Sequence, residues 1–117
     1  MSAIAVVMTT VAKRAEARKL AERAVRGRLA ACAQIVPGLE SLYSWKGKIE
    51  RSDEFLILLK TTKKALPALL RGLKATHPYE TPELVVWSVQ ASKGYAAWVK
   101  EQTRGRAKRT TRNTKRA

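Results

Sequence analysis

The chain's only histidine lies in the run His77-Pro78-Tyr79-Glu80-Thr81-Pro82-Glu83, which holds an imidazole, a phenol, two carboxylates and two prolines in seven residues. An imidazole can bind a metal or move a proton near neutral pH. The prolines fix φ at two points and push His77 and Thr81 toward extended geometry. The run is therefore a stiff connector with its polar groups in a set arrangement, or simply a rigid helix-to-strand turn with no chemistry. It leads directly into Leu84-Val85-Val86-Trp87, which reads as a buried strand. Cys32 lies 45 positions before His77, which is not a local metal-ligand spacing, so the two meet only if the fold brings them together. Thiolate and imidazole suit soft or borderline metals, copper above all, and Met8 offers a thioether. Cys32 also reads as a small apolar core residue within Leu29-Ala30-Ala31-Cys32-Ala33. Glu80 and Glu83 could serve as acid and base, but nothing supplies a nucleophile, a phosphate loop or a metalloprotease helix around them. We therefore expect no enzyme. Lys60 closes an apolar run, where its charge needs a partner or an exposed rim. A Lys60–Glu83 pair would be a clamp or part of an anion pocket.

These residues must be positioned by regular elements. Ile4–Met8 reads as a first strand, with Thr9 and Thr10 as N-cap candidates for the helix after it. Ala17, Leu20, Ala21, Ala24 and Val25 recur at helical spacing, and Gly27 can end that helix. Two long extended runs, Ala31–Trp45 and Lys48–Thr61, are joined by the tight turn Lys46-Gly47. Pro37-Gly38 interrupts the first of them and predicts a bulge. Leu66, Leu69, Leu70 and Leu73 make a second amphipathic helix that begins near Leu66 because of Pro67. A strand over Leu84–Val89 follows the connector, then a short closing helix around Tyr95, Trp98 and Val99.

The order β-α-β-β-α-β is the split βαβ signature of the α+β ferredoxin-like sandwich, here with a long β-hairpin and a short C-terminal helix. In that fold both helices lie on one face of the sheet. Yet Ile4–Met8, Phe55–Leu59 and Leu84–Trp87 are apolar at successive positions, as in strands covered on both faces. Other copies of the chain are the simplest cover for the second face, so an obligate homo-oligomer is expected.

The 117 residues suit one domain, which we place at 1–103. The formal net charge is +15, with 24 basic and 9 acidic residues. Seven of the basic residues, Arg104, Arg106, Lys108, Arg109, Arg112, Lys115 and Arg116, fall in the last fourteen positions, 104–117, which hold no acid. With no apolar residue larger than alanine, that tail reads as disordered. Its charge would bind a polyanion, nonspecific nucleic acid included, or merely solubilise the chain. One cysteine excludes an internal disulfide and points to a reducing, cytoplasmic setting. The apolar N-terminus lacks the basic start of a signal peptide, and no run is long enough for a membrane span.

Several motifs in one order resemble the CutA divalent-cation tolerance proteins. They are Leu29-Ala30-Ala31-Cys32, Pro37-Gly38, Ser41-Leu42-Tyr43-Ser44-Trp45-Lys46-Gly47-Lys48, Leu59-Lys60-Thr61, His77 to Leu84, and Tyr95-Ala96-Ala97-Trp98. The resemblance covers roughly residues 3–103 and implies a homotrimer with a ferredoxin-like core, similar in architecture to the PII signalling proteins. It also implies a role in tolerance of copper and other divalent cations, weak copper binding and no established catalysis. By position it places Cys32, Trp45, Lys60, His77, Tyr79 and Glu83 near a cleft between subunits. Some members carry a cysteine and a second histidine where this chain has Met8 and Thr76. The metal ligands it implies here are thus His77 with Met8 or Cys32. As a PII-like module, the cleft would bind a small anion through Lys60, shaped by Trp45, Tyr79 and Glu83. The basic tail lies outside the family pattern.

Overall fold

Seven elements run in the order β1 (Ser2–Val11), α1 (Arg14–Arg26), β2 (Cys32–Trp45), β3 (Lys48–Thr61), α2 (Leu66–Thr76), β4 (Val85–Ala91) and α3 (Lys93–Gln102). They come from a computed structural model, in which residues 1–104 are described. The expected basic tail lies outside the described residues except for Arg104. The strands form one antiparallel sheet in the order β2-β3-β1-β4, as the ferredoxin-like reading requires.

Residue alternation assigns the two faces of the sheet. Val7 faces Leu59, Thr9 faces Ile57 and Val11 faces Phe55 across β1 and β3. These side chains pack with Ala17, Leu20 and Ala24 of α1 and Leu69 and Leu73 of α2 into the main core. The intervening residues point the other way: Val6, Met8 and Thr10 on β1, and Leu56, Leu58 and Lys60 on β3. Their partners Cys32, Gln34 and Val36 on β2, and Val85, Trp87 and Val89 on β4, share that open face.

The open face is not wholly bare. Helix α3, capped by the Ser92 hydroxyl accepting from Tyr95 N–H at 3.4 Å, folds back over one end of it. There Val99 is buried with Ile4 and Ala31. The rest stays open, with Val85 37%, Val36 43% and Trp87 46% exposed. The expectation that other copies cover the second face is thus amended. The chain covers part of its own second face, and only the remaining strip calls for another surface.

The first strand is longer than its apolar run. Thr9 and Thr10 lie within β1 and do not cap α1; both are buried. The helix starts instead with Glu16 accepting from the backbone N–H of Lys13 at 3.3 Å. At its other end the left-handed position is taken not by Gly27 but by Arg28, at φ 60°. Val25, expected on the apolar face, is 38% exposed.

In the hairpin, Pro37 and Gly38 together oppose the single residue Phe55, a bulge that Gly38 permits at φ 78°. Lys46 and Gly47 turn with φ of 50° and 80°, the all-positive pair of a type I′ hairpin.

Candidate functional site

The connector 77–83 leaves α2 on the covered side and crosses the end of the sheet. His77 faces the covered side, where its Nε2 lies 3.0 Å from the hydroxyl of the buried Thr9. Its Nδ1 accepts from Tyr79 N–H at 3.1 Å. With Nδ1 accepting, the neutral ring carries its proton on Nε2 and donates to Thr9. Both nitrogens are therefore in use. Burial lowers the His77 pKa; hydrogen bonding near Thr10 and the Glu16 and Glu54 carboxylates oppose this more weakly.

Two residues on, Tyr79 reaches the other face. Its hydroxyl donates to Glu54 Oε2 at 2.6 Å, while Ser41 donates to Glu54 Oε1 at 2.7 Å. Glu54 is only 7% exposed. Its carboxylate is satisfied by these two hydroxyls and has no ion-pair partner among the described residues. Burial, then the bond to Glu54, pushes the Tyr79 phenol far above its ordinary value, so it stays a donor at any ordinary pH. The His77 and Tyr79 rings lie 5.1 Å apart and hold the connector as one unit.

Over Glu54 opens a groove of about 980 Å³ between the hairpin and the connector. Trp45 and Tyr43 of the hairpin face Tyr79 and Glu83 of the connector across it. Five carboxylates, Glu40, Glu50, Glu54, Glu80 and Glu83, line it, with no lysine or arginine among the described residues. Arg51, outside the lining, pairs with Glu40 and with Asp53 at 2.7 Å. A surface of this charge attracts cations and repels a small anion.

Of the residues singled out in the sequence, Trp45, Tyr79 and Glu83 share this groove, and Lys60 does not. Lys60 lies six positions along β3 from Glu54, about 20 Å at strand rise. Its ammonium donates to Gln34 Oε1 at 2.5 Å. The expected Lys60–Glu83 pair is therefore replaced by a cross-strand contact to an amide. Nor do the three implied metal ligands converge within one chain. Met8 and Cys32 face the open side, while His77 faces the covered side with both nitrogens occupied. Cys32 Sγ lies 3.4 Å from the Tyr95 hydroxyl. No group of three or more His, Cys, Asp and Glu side chains has metal-binding geometry among the described residues. The donor set present in one subunit does not fit a Cys-His copper centre. Thr76, the other departure, donates to Gly72 O at 2.8 Å within α2.

Glu54 and Thr9 are the residues sequence reasoning missed. Glu54 could have been flagged as a carboxylate abutting the apolar run Phe55–Leu59. Thr9 carried no such signal, since its role depends on the register of β1 with β3.

The fold and the site define a class: a ferredoxin-like α+β protein with a long hairpin, an acidic groove at one end and an unfinished sheet face. The CutA1 divalent ion tolerance family model matches residues 5–102, and the chain belongs to that family. It is 43% identical over 99 residues to the divalent-cation tolerance protein CutA of Thermus thermophilus, covering 84% of this chain and 96% of that protein. To the CutA of Escherichia coli O139:H28 it is 42% identical over 104 residues, covering 88% and 93%. The solved structure of the Thermus thermophilus protein superposes with a TM-score of 0.82, at 42% identity, over 86% of this chain and 98% of the other. The family is named for divalent-cation tolerance and not for a reaction.

Proposed function

We propose that this protein acts in the tolerance of divalent cations, copper among them, as a non-catalytic homotrimer in the cytoplasm. The names of its relatives support the role. The observation that carries the assembly is the half-exposed Trp87, opposite Val6 and beside Val85 on a strip of open sheet that α3 leaves uncovered. Burying such a strip yields about 25 cal/mol per Å² of apolar surface, so a second copy laid on it is favoured. The lone free thiol, Cys32, suits a reducing compartment.

Copper contact in this reading is weak. His77 must give up one hydrogen bond to offer a nitrogen, and sulfur from Met8 or Cys32 can join only across a subunit boundary. The test is a competition titration of Cu(I) and Cu(II) against chelators of known affinity, on the full chain and its His77→Ala variant, alongside sedimentation velocity. We expect a particle of three times the 13.0 kDa chain mass and a weak affinity that falls in the variant. Equal affinity in both proteins would remove His77 from the ligand set. A monomer at micromolar concentration would remove the assembly.

A further inference from the structure

We infer that a basic cleft at the other end of the sheet binds closely spaced phosphate groups, the chemistry of an oligophosphate anion. Three segments meet there: the turn after α1, the connection from β3 to α2, and the C-terminal end of α3. They enclose about 700 Å³. Arg28, Lys64, Lys100 and Arg104 line the cleft, and among the described residues no carboxylate does.

Their charges are largely uncompensated. Arg28 donates from Nε to the Arg104 carbonyl and from Nη2 to the Glu101 carbonyl, each at 2.9 Å. Those acceptors are neutral, so the guanidinium is fixed in place with its charge intact. Of the four, Arg104 alone has an acidic partner among the described residues, Glu101 at 2.9 Å. Lys64 and Lys100 have no ion-pair partner among the described residues. The positive end of α2, preceded by Lys63 and Lys64 and with no acid in its first turn, faces the negative C-terminal ends of α1 and α3, whose carbonyls Arg28 partly takes up, so the side-chain cations carry the net field. Four cations around one concavity repel one another, and a concave wall focuses their field outward. An anion with several charges relieves that repulsion more effectively than chloride.

The rest of the lining sets the kind of anion. Leu29, Ala65 and Ala68 supply small apolar walls, and among the described residues no aromatic ring lines the cleft. Bases therefore have nothing to stack on, and phosphate groups are what the cleft can grip. The Thr62 hydroxyl oxygen accepts from Ala65 N–H at 3.1 Å, which leaves its own proton free to donate. Directly beyond Arg104 the sequence adds Arg106, Lys108, Arg109, Arg112, Lys115 and Arg116 without a single acid. The cleft shares no lining residue with the acidic groove, so its success or failure is independent of the cation-tolerance reading.

The test titrates sodium tripolyphosphate into the full chain by isothermal calorimetry at low and at physiological salt. Three variants are compared: Lys64→Glu with Lys100→Glu, the milder Lys64→Gln with Lys100→Gln, and a chain with the six basic residues from Arg106 to Arg116 changed to glutamine. Circular dichroism melting checks each fold. The expected result is binding by the parent chain, a loss of roughly tenfold or more in both cleft variants, and a change within about threefold in the tail variant. No binding by the parent chain overturns the proposal. So does a loss confined to the tail variant, which would be the electrostatics of the tail sequence alone. Once tripolyphosphate is seated, a single-stranded oligonucleotide that displaces it in a cleft-dependent manner identifies a nucleic-acid backbone as the source of the phosphates. Failure to displace it identifies a free oligophosphate.

Discussion

On one face of the sheet Val7, Val11, Ile57 and Leu59 are sealed beneath α1 and α2, with no measurable exposure. On the other face Trp87 stays 46% exposed beside Val85, although α3 reaches across one end. Both faces are built from the same strands, residue by residue in alternation. The difference lies in what the chain has left to cover them. Two helices of 13 and 11 residues close one face except at the β4 edge, where Val86 is 39% exposed, and a third of 10 residues closes only the end of the other face near Ile4. One face therefore reports on folding of the chain, and the other on what the chain meets afterwards.

Substitutions on opposite faces test that distinction most directly. Leu59→Ala empties a fully buried site and should cost about 2–5 kcal/mol in denaturant unfolding. Trp87→Asp should leave the secondary structure in place, yet lower the sedimenting mass and the melting temperature, and weaken the dependence of that temperature on protein concentration. If Trp87→Asp left the assembly unchanged, the open strip would not be its interface, and the comparison would fail.

The connector joins the two faces, because His77 anchors on the covered side and Tyr79 on the open side. Tyr79→Phe removes the bond to the buried Glu54 carboxylate and should cost about 1.5–3 kcal/mol, the range for hydrogen bonds to charged groups. In a double-mutant cycle the same change on a Glu54→Gln background should cost markedly less. Additive costs would mean that Tyr79 is held by packing and not by Glu54. Gly38→Ala should cost about 1–2 kcal/mol, read from the unfolding midpoint. No atom lies within 4 Å of the added Cβ, so that loss comes from its φ of 78° alone.

Much of this architecture could be read from the sequence because its signals are local. The hairpin strands, the Lys46-Gly47 turn and the Pro37-Gly38 bulge each follow from a few adjacent residues with fixed backbone preferences. The start of α2 near Leu66 is set in the same way by Pro67. What escaped depends on register across strands. Thr9 looked like a helix cap because β1's apolar run stops at Met8, and only its pairing with Ile57 keeps it in the strand and under His77. Lys60 was expected beside Glu83, but β2 pairing places Gln34 within its reach instead. Of the residues proposed for the cleft, Trp45, Tyr79 and Glu83 lie at one groove. Cys32, Met8 and His77 are divided by the plane of the sheet, a fact no spacing in the sequence could express.

His77 gives the finest probe of the covered side. Its folded pKa lies below the unfolded value of about 6.5, because burial disfavours the imidazolium. Above pH ~6.5 both states are neutral at this residue, and its contribution to stability is fully present. As pH falls from there through the lowered folded pKa, the unfolded chain takes up its proton first, and that contribution is lost. Protonation also puts a hydrogen on Nδ1, which must then release Tyr79 N–H. Stability of the parent chain should therefore fall with decreasing pH below about 6.5 more steeply than that of His77→Gln. The carboxylates are common to both proteins and cancel in the difference. Thr9→Val, which takes away the Nε2 partner, should cost about 1 kcal/mol at neutral pH. Identical pH profiles for the parent chain and His77→Gln would place the imidazole in solvent, on neither side of the sheet.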